Sequence, residues 1–195
     1  EQIFYVGNTM IDSLLDNIDR LRKPDFFDNA LAGHPYIVLT LHRPSNVDDP
    51  EKLSALLDRI HDALGDCRVL FPMHPRTRKI FDAIGRQYKQ FKIVEPMSYL
   101  EFMFVVKNAT GVVTDSGGIT EETTVLNIPC ITLRDSTERP ETIRLGTNEL
   151  VADHSFIKGY IERMIAGDWK QAQPIQYWDG KTAERIVQAL NNIRS

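Results

Sequence analysis

Five short runs of β-branched or aromatic residues punctuate the chain at intervals of about twenty to thirty residues. They are residues 36–41 (YIVLTL), 68–71 (RVLF), 91–94 (FKIV), 111–114 (GVVT) and 130–133 (CITL). Each is a near-continuous apolar run, the pattern of a strand buried on both faces of a parallel sheet. The stretches between them carry helical periodicity, clearest at Leu53, Leu56, Leu57, Ile60 and Leu64, which share one helix face. Helix starts are legible too. Asp49-Pro50 offers an acidic N-cap and a first-turn proline, and Ser98-Tyr99-Leu100-Glu101 reads as a capping box ahead of an apolar run. Strand and helix alternating at this spacing imply right-handed crossovers, and the expected fold is α/β with a doubly wound parallel sheet.

The ends read differently from the middle. Residues 6–28 are expected to form a peripheral helix (Ile11, Leu14, Leu15, Ile18, Leu21), residues 29–35 a loop or linker, and residues 179–193 a closing helix. Residues 167–180, rich in Gln and Pro, read as a surface loop. A length of 195 residues favours one domain, 1–195, with 1–35 as helix and linker and 36–195 as sheet and helices. Lys and Arg total 23 against 27 Asp and Glu, so no basic field attracts nucleic acid. No apolar run approaches the roughly 20 residues that cross a bilayer, and no signal peptide is apparent. Cys67 and Cys130 each lie in an apolar segment and read as buried thiols, which suits a reducing cytoplasm. The chain opens at Glu1 rather than Met, as a piece of something larger would.

In open α/β sheets ligands collect beyond the carboxyl ends of the strands, where loops and helix N-termini converge. The residues expected there are His42-Arg43-Pro44-Ser45-Asn46, Pro72-Met73-His74-Pro75-Arg76, Glu95-Pro96-Met97-Ser98, Asp115-Ser116-Gly117-Gly118 and Arg134 to Glu141. Ser116, Gly117 and Gly118 have the outline of a phosphate cradle, since glycines admit an anion closely and a helix start supplies free N–H donors. The same residues suit an ordinary tight turn. Glu121 and Glu122 lie one turn into the next helix, where a carboxylate can accept from ribose hydroxyls or simply complement the helix dipole. His42 and His74 lack metal-ligand spacing and no metal or other cofactor is expected; beside Arg43 and Arg76 each suits phosphate binding, general acid chemistry or a structural role. His34, His61 and His154 read as structural. Phe102 can stack on a nucleobase or pack in the core with Phe104, Val105 and Val106. A hydrolase elbow and a dinucleotide fingerprint are both missing.

Taken in order, HRPSNVD, FPMHPRTR, EPMSYLEF, TDSGGITEE, LRDSTERPE and GTNELV resemble the UDP-N-acetylglucosamine 2-epimerases, from about Val6 to Val151. The resemblance covers only the C-terminal half of that family. It implies a Rossmann-like domain of the glycosyltransferase-B type, UDP-GlcNAc and UDP as ligands, a missing N-terminal domain as partner, a homodimer, and a place in polysaccharide biosynthesis. Such enzymes interconvert UDP-GlcNAc and UDP-ManNAc by eliminating and re-adding UDP. The resemblance further implies that Ser116, Gly117 and Gly118 hold phosphate, Glu122 the ribose, and Phe102 the uracil. His42 matches a catalytic histidine, Arg139 lies near the ligand, and His74 and Arg43 belong to the cleft. Many bacterial members have Arg-Glu-Asn where this chain has Pro44-Ser45-Asn46, so allosteric control by a second UDP-GlcNAc is not expected to carry over. A hydrolysing epimerase, a related glycosyltransferase, and a non-enzymatic nucleotide-binding or dimer-scaffolding module are the alternative readings.

Overall fold

The computed structural model describes residues 3–31 and 33–194. Ala32, inside the loop expected at 29–35, and the opening Glu1 lie outside the described residues. Among the described residues six strands form the sheet: β1 Tyr36–Thr40, β2 Arg68–Pro72, β3 Phe91–Val94, β4 Gly111–Thr114, β5 Cys130–Thr132 and β6 Asn148–Leu150. The helices are α1 Thr9–Asn17, α2 Phe27–Ala30, α3 Pro44–Val47, α4 Pro50–His61, α5 Pro75–Ile84, α6 Tyr99–Lys107, α7 Ile119–Val125, α8 Pro140–Arg144, α9 Ile157–Ile165 and α10 Thr182–Arg194. The strands are ordered β3-β2-β1-β4-β5-β6 and every pairing is parallel. The doubly wound Rossmann-like sheet is therefore present, and its two wings meet at the β1–β4 pair.

The near-continuous apolar runs follow from this geometry, because successive strand side chains point to opposite faces and both faces are covered. Ile37, Leu39, Val69, Phe71, Val113 and Ile131 point to one layer, where Leu53, Leu56, Leu57 and Ile60 of α4 pack with Ile157, Ile161 and Met164 of α9. Tyr36, Val38, Leu70, Val112 and Cys130 point to the other, against Leu14 of α1, Met103, Val105 and Val106 of α6, and Ile119 of α7. Both cysteines are buried free thiols, pushed up to about 11 at Cys67 and about 12 at Cys130 by burial.

Two expectations are corrected, and one strand is added. The stretch 6–28 is not one helix: α1 ends in a single 3-10 turn, Ile18–Arg20, and the chain is extended at Leu21 (φ −58, ψ 138) before α2. Pro24 lacks the N–H a continuing helix needs, and the segment is drawn instead to α6, where the Arg22 N–H donates to the Leu100 carbonyl and its guanidinium pairs with Glu101 at 2.9 Å. The closing helix begins at Thr182 rather than 179. Strand β6 was not foreseen, because Asn148-Glu149-Leu150 carries no apolar run; it is an edge strand paired to β5 alone. The caps hold as expected: Asp49 accepts from the N–H groups of Glu51 and Lys52, and Glu101 accepts from the N–H and hydroxyl of Ser98.

Candidate functional site

The chain winds outward from β1 through β2 to β3, then returns to β4 on the other side of β1. The helices that follow β1 and β4 consequently leave toward opposite layers, the arrangement in which open α/β sheets place a ligand crevice between the two strand ends. His42 and Arg43 follow β1 at this point, and Asp115 through Gly118 follow β4.

Asp115 ties the two rims together. Its side chain is 0% exposed, and Oδ1 lies 2.9 Å from Nδ1 of His42. Its Oδ2 accepts from the His42 N–H at 3.0 Å, the Arg43 N–H at 2.9 Å and the Asn46 side-chain amide at 3.2 Å. The Asp115 carbonyl accepts from Nε of Arg43 at 2.8 Å. Asn46 also donates to the Leu133 carbonyl at 3.2 Å, which joins the loop after β5 to the group. The hydroxyls of Thr40 and Thr114 meet at 2.6 Å, and the Ser116 N–H donates to the Thr114 hydroxyl at 2.9 Å. The His42 side chain is 52% exposed, and its Nε2 has no partner among the described residues.

Beyond Ser116 the chain turns into α7. Neither glycine is there for a left-handed backbone: Gly118 has φ −64, and Gly117 is not among the glycines of positive φ. What they supply is room. A Cβ on Gly118 would come within 3.0 Å of the Met10 methyl, and one on Gly117 within 3.4 Å of Nη1 of Arg134. The N–H groups of Gly117, Gly118, Ile119 and Thr120 make no hydrogen bond within the described residues, leaving four donors at the head of α7. The turn is half-buried, with the side chains of Met10, Arg134 and Glu138 beside its glycines.

Glu121 and Glu122 are both buried, with different partners. Glu121 is 1% exposed; its Oε1 accepts from the Asn8 amide at 2.8 Å and pairs with Nε of Arg139, while its Oε2 is buried without a partner among the described residues. Burial pushes its carboxyl upward, and Arg139 and Asn8 oppose that rise. Glu122 accepts from the Tyr99 hydroxyl at 2.9 Å, and burial raises its carboxyl too. The Tyr99 contact matters for layout. Although α6 follows the edge strand β3, it crosses back beside α7, bringing Phe102 and the Ser116 turn to the same side of the sheet. Phe102 is half-buried, one side packed on the second core layer.

His74 stands apart from this group. It caps α5, its Nδ1 accepting from the Arg76 N–H at 3.3 Å, and its ring is exposed. Arg139 reaches the site through Glu121 and remains half-exposed. Other residues of the strand ends and helix starts contribute in ways the sequence did not assign. Asp115 and Asn46 frame His42, Tyr99 holds Glu122, and Arg134 lies against Gly117 while gripping Glu138 at 2.8 Å, drawing that carboxyl down to about 2. Asp115 had a signal: a lone carboxylate ending an apolar strand is buried unless the chain bends away, and a buried carboxylate requires donors. A separate hollow of about 370 Å³, lined by Ser45, Asn46, Lys52, Arg59 and His154 among others, touches the site only through α3.

The family model described as UDP-N-acetylglucosamine 2-epimerase matches residues 1–191. A UDP-N-acetylglucosamine 2-epimerase from Methanocaldococcus jannaschii is 41% identical across 97% of this chain and 54% of its own length. A UDP-2,3-diacetamido-2,3-dideoxy-D-glucuronate 2-epimerase from Pseudomonas aeruginosa is 31% identical across 97% of this chain and 52% of its own. The crystal structure of the M. jannaschii UDP-GlcNAc 2-epimerase in complex with UDP-GlcNAc and UDP superposes with a TM-score of 0.81 at 39% identity, covering 97% of this chain and 55% of that one. The chain spans about half the length of the curated relatives it matches.

Proposed function

The chain belongs to the UDP-N-acetylglucosamine 2-epimerase family, and from that premise we propose that it is the UDP-holding half of an enzyme interconverting UDP-GlcNAc and UDP-ManNAc. In this reading the C1–O bond to the β-phosphate breaks, its electron pair leaves with UDP, and the C2 proton is removed to give a 2-acetamidoglucal. UDP then re-adds at C1 as a proton returns to the opposite face of C2. The observation that carries the reading is the set of four amides from Gly117 to Thr120 that are unpaired among the described residues, set at the point where the winding of the sheet reverses and beside Asp115, which holds His42. Preorganised donors there stabilise the charge that develops on the departing diphosphate.

Each site residue takes a role that its surroundings support. Ser116, Gly117 and Gly118 hold the pyrophosphate, and Arg139, positioned by Glu121, adds positive charge. Glu122 accepts from the ribose hydroxyls with the oxygen Tyr99 leaves free. Phe102 stacks on uracil. Arg43 lines the crevice and His74 its outer edge, while His42 carries proton transfer at Nε2. The base for the C2 proton is assigned to the part of the relatives this chain does not cover. The two curated relatives act on different sugars attached to the same nucleotide, which fits a half that grips UDP. The complete protein is taken to be a cytoplasmic homodimer; among the described residues no helix is long and apolar enough to cross a membrane.

Calorimetry tests the assignment. The 195-residue chain is expected to bind UDP saturably and weakly, and to leave UDP-GlcNAc unconverted. A folded chain that gives no heat with UDP removes the nucleotide reading, and epimerisation by the chain alone removes the division of labour. With the complete enzyme in deuterated water, UDP-ManNAc carrying deuterium at C2 supports epimerisation, whereas free sugar supports the hydrolysing alternative.

A further inference from the structure

We propose that Asp115 is a positioning residue that fixes the neutral His42 ring as its Nδ1–H tautomer, so that the nitrogen left without a partner among the described residues, Nε2, carries the lone pair. The catalytic consequence rests on the epimerase reading; the tautomer does not. A carboxylate is an acceptor, and Oδ1 of Asp115 lies 2.9 Å from Nδ1, so that nitrogen must be the donor. The carboxylate is buried and held from the other side by the His42 and Arg43 N–H groups and the Asn46 amide, which leaves it no freedom to turn away. A free neutral imidazole favours the other tautomer, with the proton on Nε2, so the protein is imposing the less common form. His74 provides an internal contrast. At the neighbouring strand end its Nδ1 accepts from the Arg76 N–H at 3.3 Å, which places its neutral proton on Nε2. Two histidines on one sheet edge are thus held in opposite tautomers by what their Nδ1 atoms meet.

For the reaction, a ring in the Nδ1–H form can take a proton at Nε2 and give the same proton back to a departing or returning oxygen, while Asp115 steadies the cation formed in between. In the other tautomer Nε2 is already protonated, and the neutral ring cannot act as an acceptor there.

The isosteric variant Asp115→Asn separates this role from general support of the loop. Three donors converge on Oδ2, the His42 N–H, the Arg43 N–H and the Asn46 amide, so the asparagine oxygen settles on that side. Its amide NH2 then meets Nδ1 of His42, which must become the acceptor. Long-range 1H–15N correlation of the imidazoles in the 195-residue chain, at about pH 8.5 and so well above the ordinary histidine value of about 6.5, reads the tautomer directly. Signals are assigned by their loss in His42→Gln and His74→Gln. The expected result is an Nδ1–H ring for His42 in the parent chain, an Nε2–H ring in Asp115→Asn, and an Nε2–H ring for His74 in both. In the complete enzyme the same substitution is expected to lower kcat by on the order of 100-fold or more, with KM changed far less. An Nε2–H ring for His42 in the parent chain overturns the proposal whether or not the variant folds. So does an unchanged tautomer in a folded variant, whereas an unchanged kcat beside a switched tautomer overturns the catalytic consequence alone. UDP added to the same samples keeps the two readings apart: an Nδ1–H ring in a chain that ignores UDP supports the role of Asp115 and removes the nucleotide assignment.

Discussion

Glu121 and Glu122 sit side by side on the first turn of α7, and burial raises both carboxyls above their ordinary value of 4.5. Arg139 and Asn8 work against the rise at Glu121, and the Tyr99 hydroxyl works against it at Glu122. A carboxyl whose value is higher folded than unfolded favours the folded state fully below the unfolded value, and that contribution is lost as pH rises through the folded one. As pH rises through the folded values, charge on these two groups costs stability, and at Glu122 a ligand carrying hydroxyl donors would offset that cost. Glu122→Gln keeps the shape and an acceptor for Tyr99 but removes the charge. It is expected to melt higher than the parent at pH 7 and nearly level with it at pH 4.5, while binding UDP about tenfold more weakly through loss of a charged acceptor. Equal melting shifts at both pH values would contradict the charge argument.

At the scale of elements, the short helices around the crevice depend on caps and on close approach. Asp49 closes the start of α4 by accepting two backbone N–H groups, so Asp49→Ala should lower the midpoint of urea denaturation. Gly146, between α8 and β6, is more tightly confined. A Cβ there would lie 2.3 Å from the Thr124 hydroxyl on α7 and 2.5 Å from the Thr142 carbonyl. Gly146→Ala must push α7 away from β6 and is expected to cost about 1–3 kcal/mol or more, with UDP binding weakened in step because α7 carries the donors. Gly159 in α9 is the opposite case, with nothing within 4 Å of an added Cβ. Gly159→Ala should raise stability by about 0.5–1 kcal/mol by restricting the unfolded chain and favouring helix. If the two alanine variants shift the urea midpoint alike, the steric distinction drawn between these glycines is wrong.

For the whole molecule, a ligand bound only by the folded chain stabilises it by mass action. UDP at 100 times its dissociation constant should add about 2.7 kcal/mol and raise the melting temperature by roughly 5–10 °C for a chain of this size; no shift at saturating UDP would sink the nucleotide assignment. Local pattern was enough to give five strands, the caps of α4 and α6, and the strand-end residues, because hydrophobic period and capping chemistry are written within a few residues of where they act. The resemblance to a family could likewise be read from short motifs in order. Strand β6 escaped because its burial comes from its neighbour β5 and not from its own composition. The break after α1 escaped because apolar spacing continues through it, while Pro24 and the docking of Arg22 on α6 decide the path. The order of the strands, the crevice between β1 and β4, the meeting of Tyr99 with Glu122 and the grip of Asp115 on His42, 73 residues away, belong to the tertiary structure alone. Contacts of that range have no local signature: they exist only once the crossovers have wound the sheet and closed the loops between them.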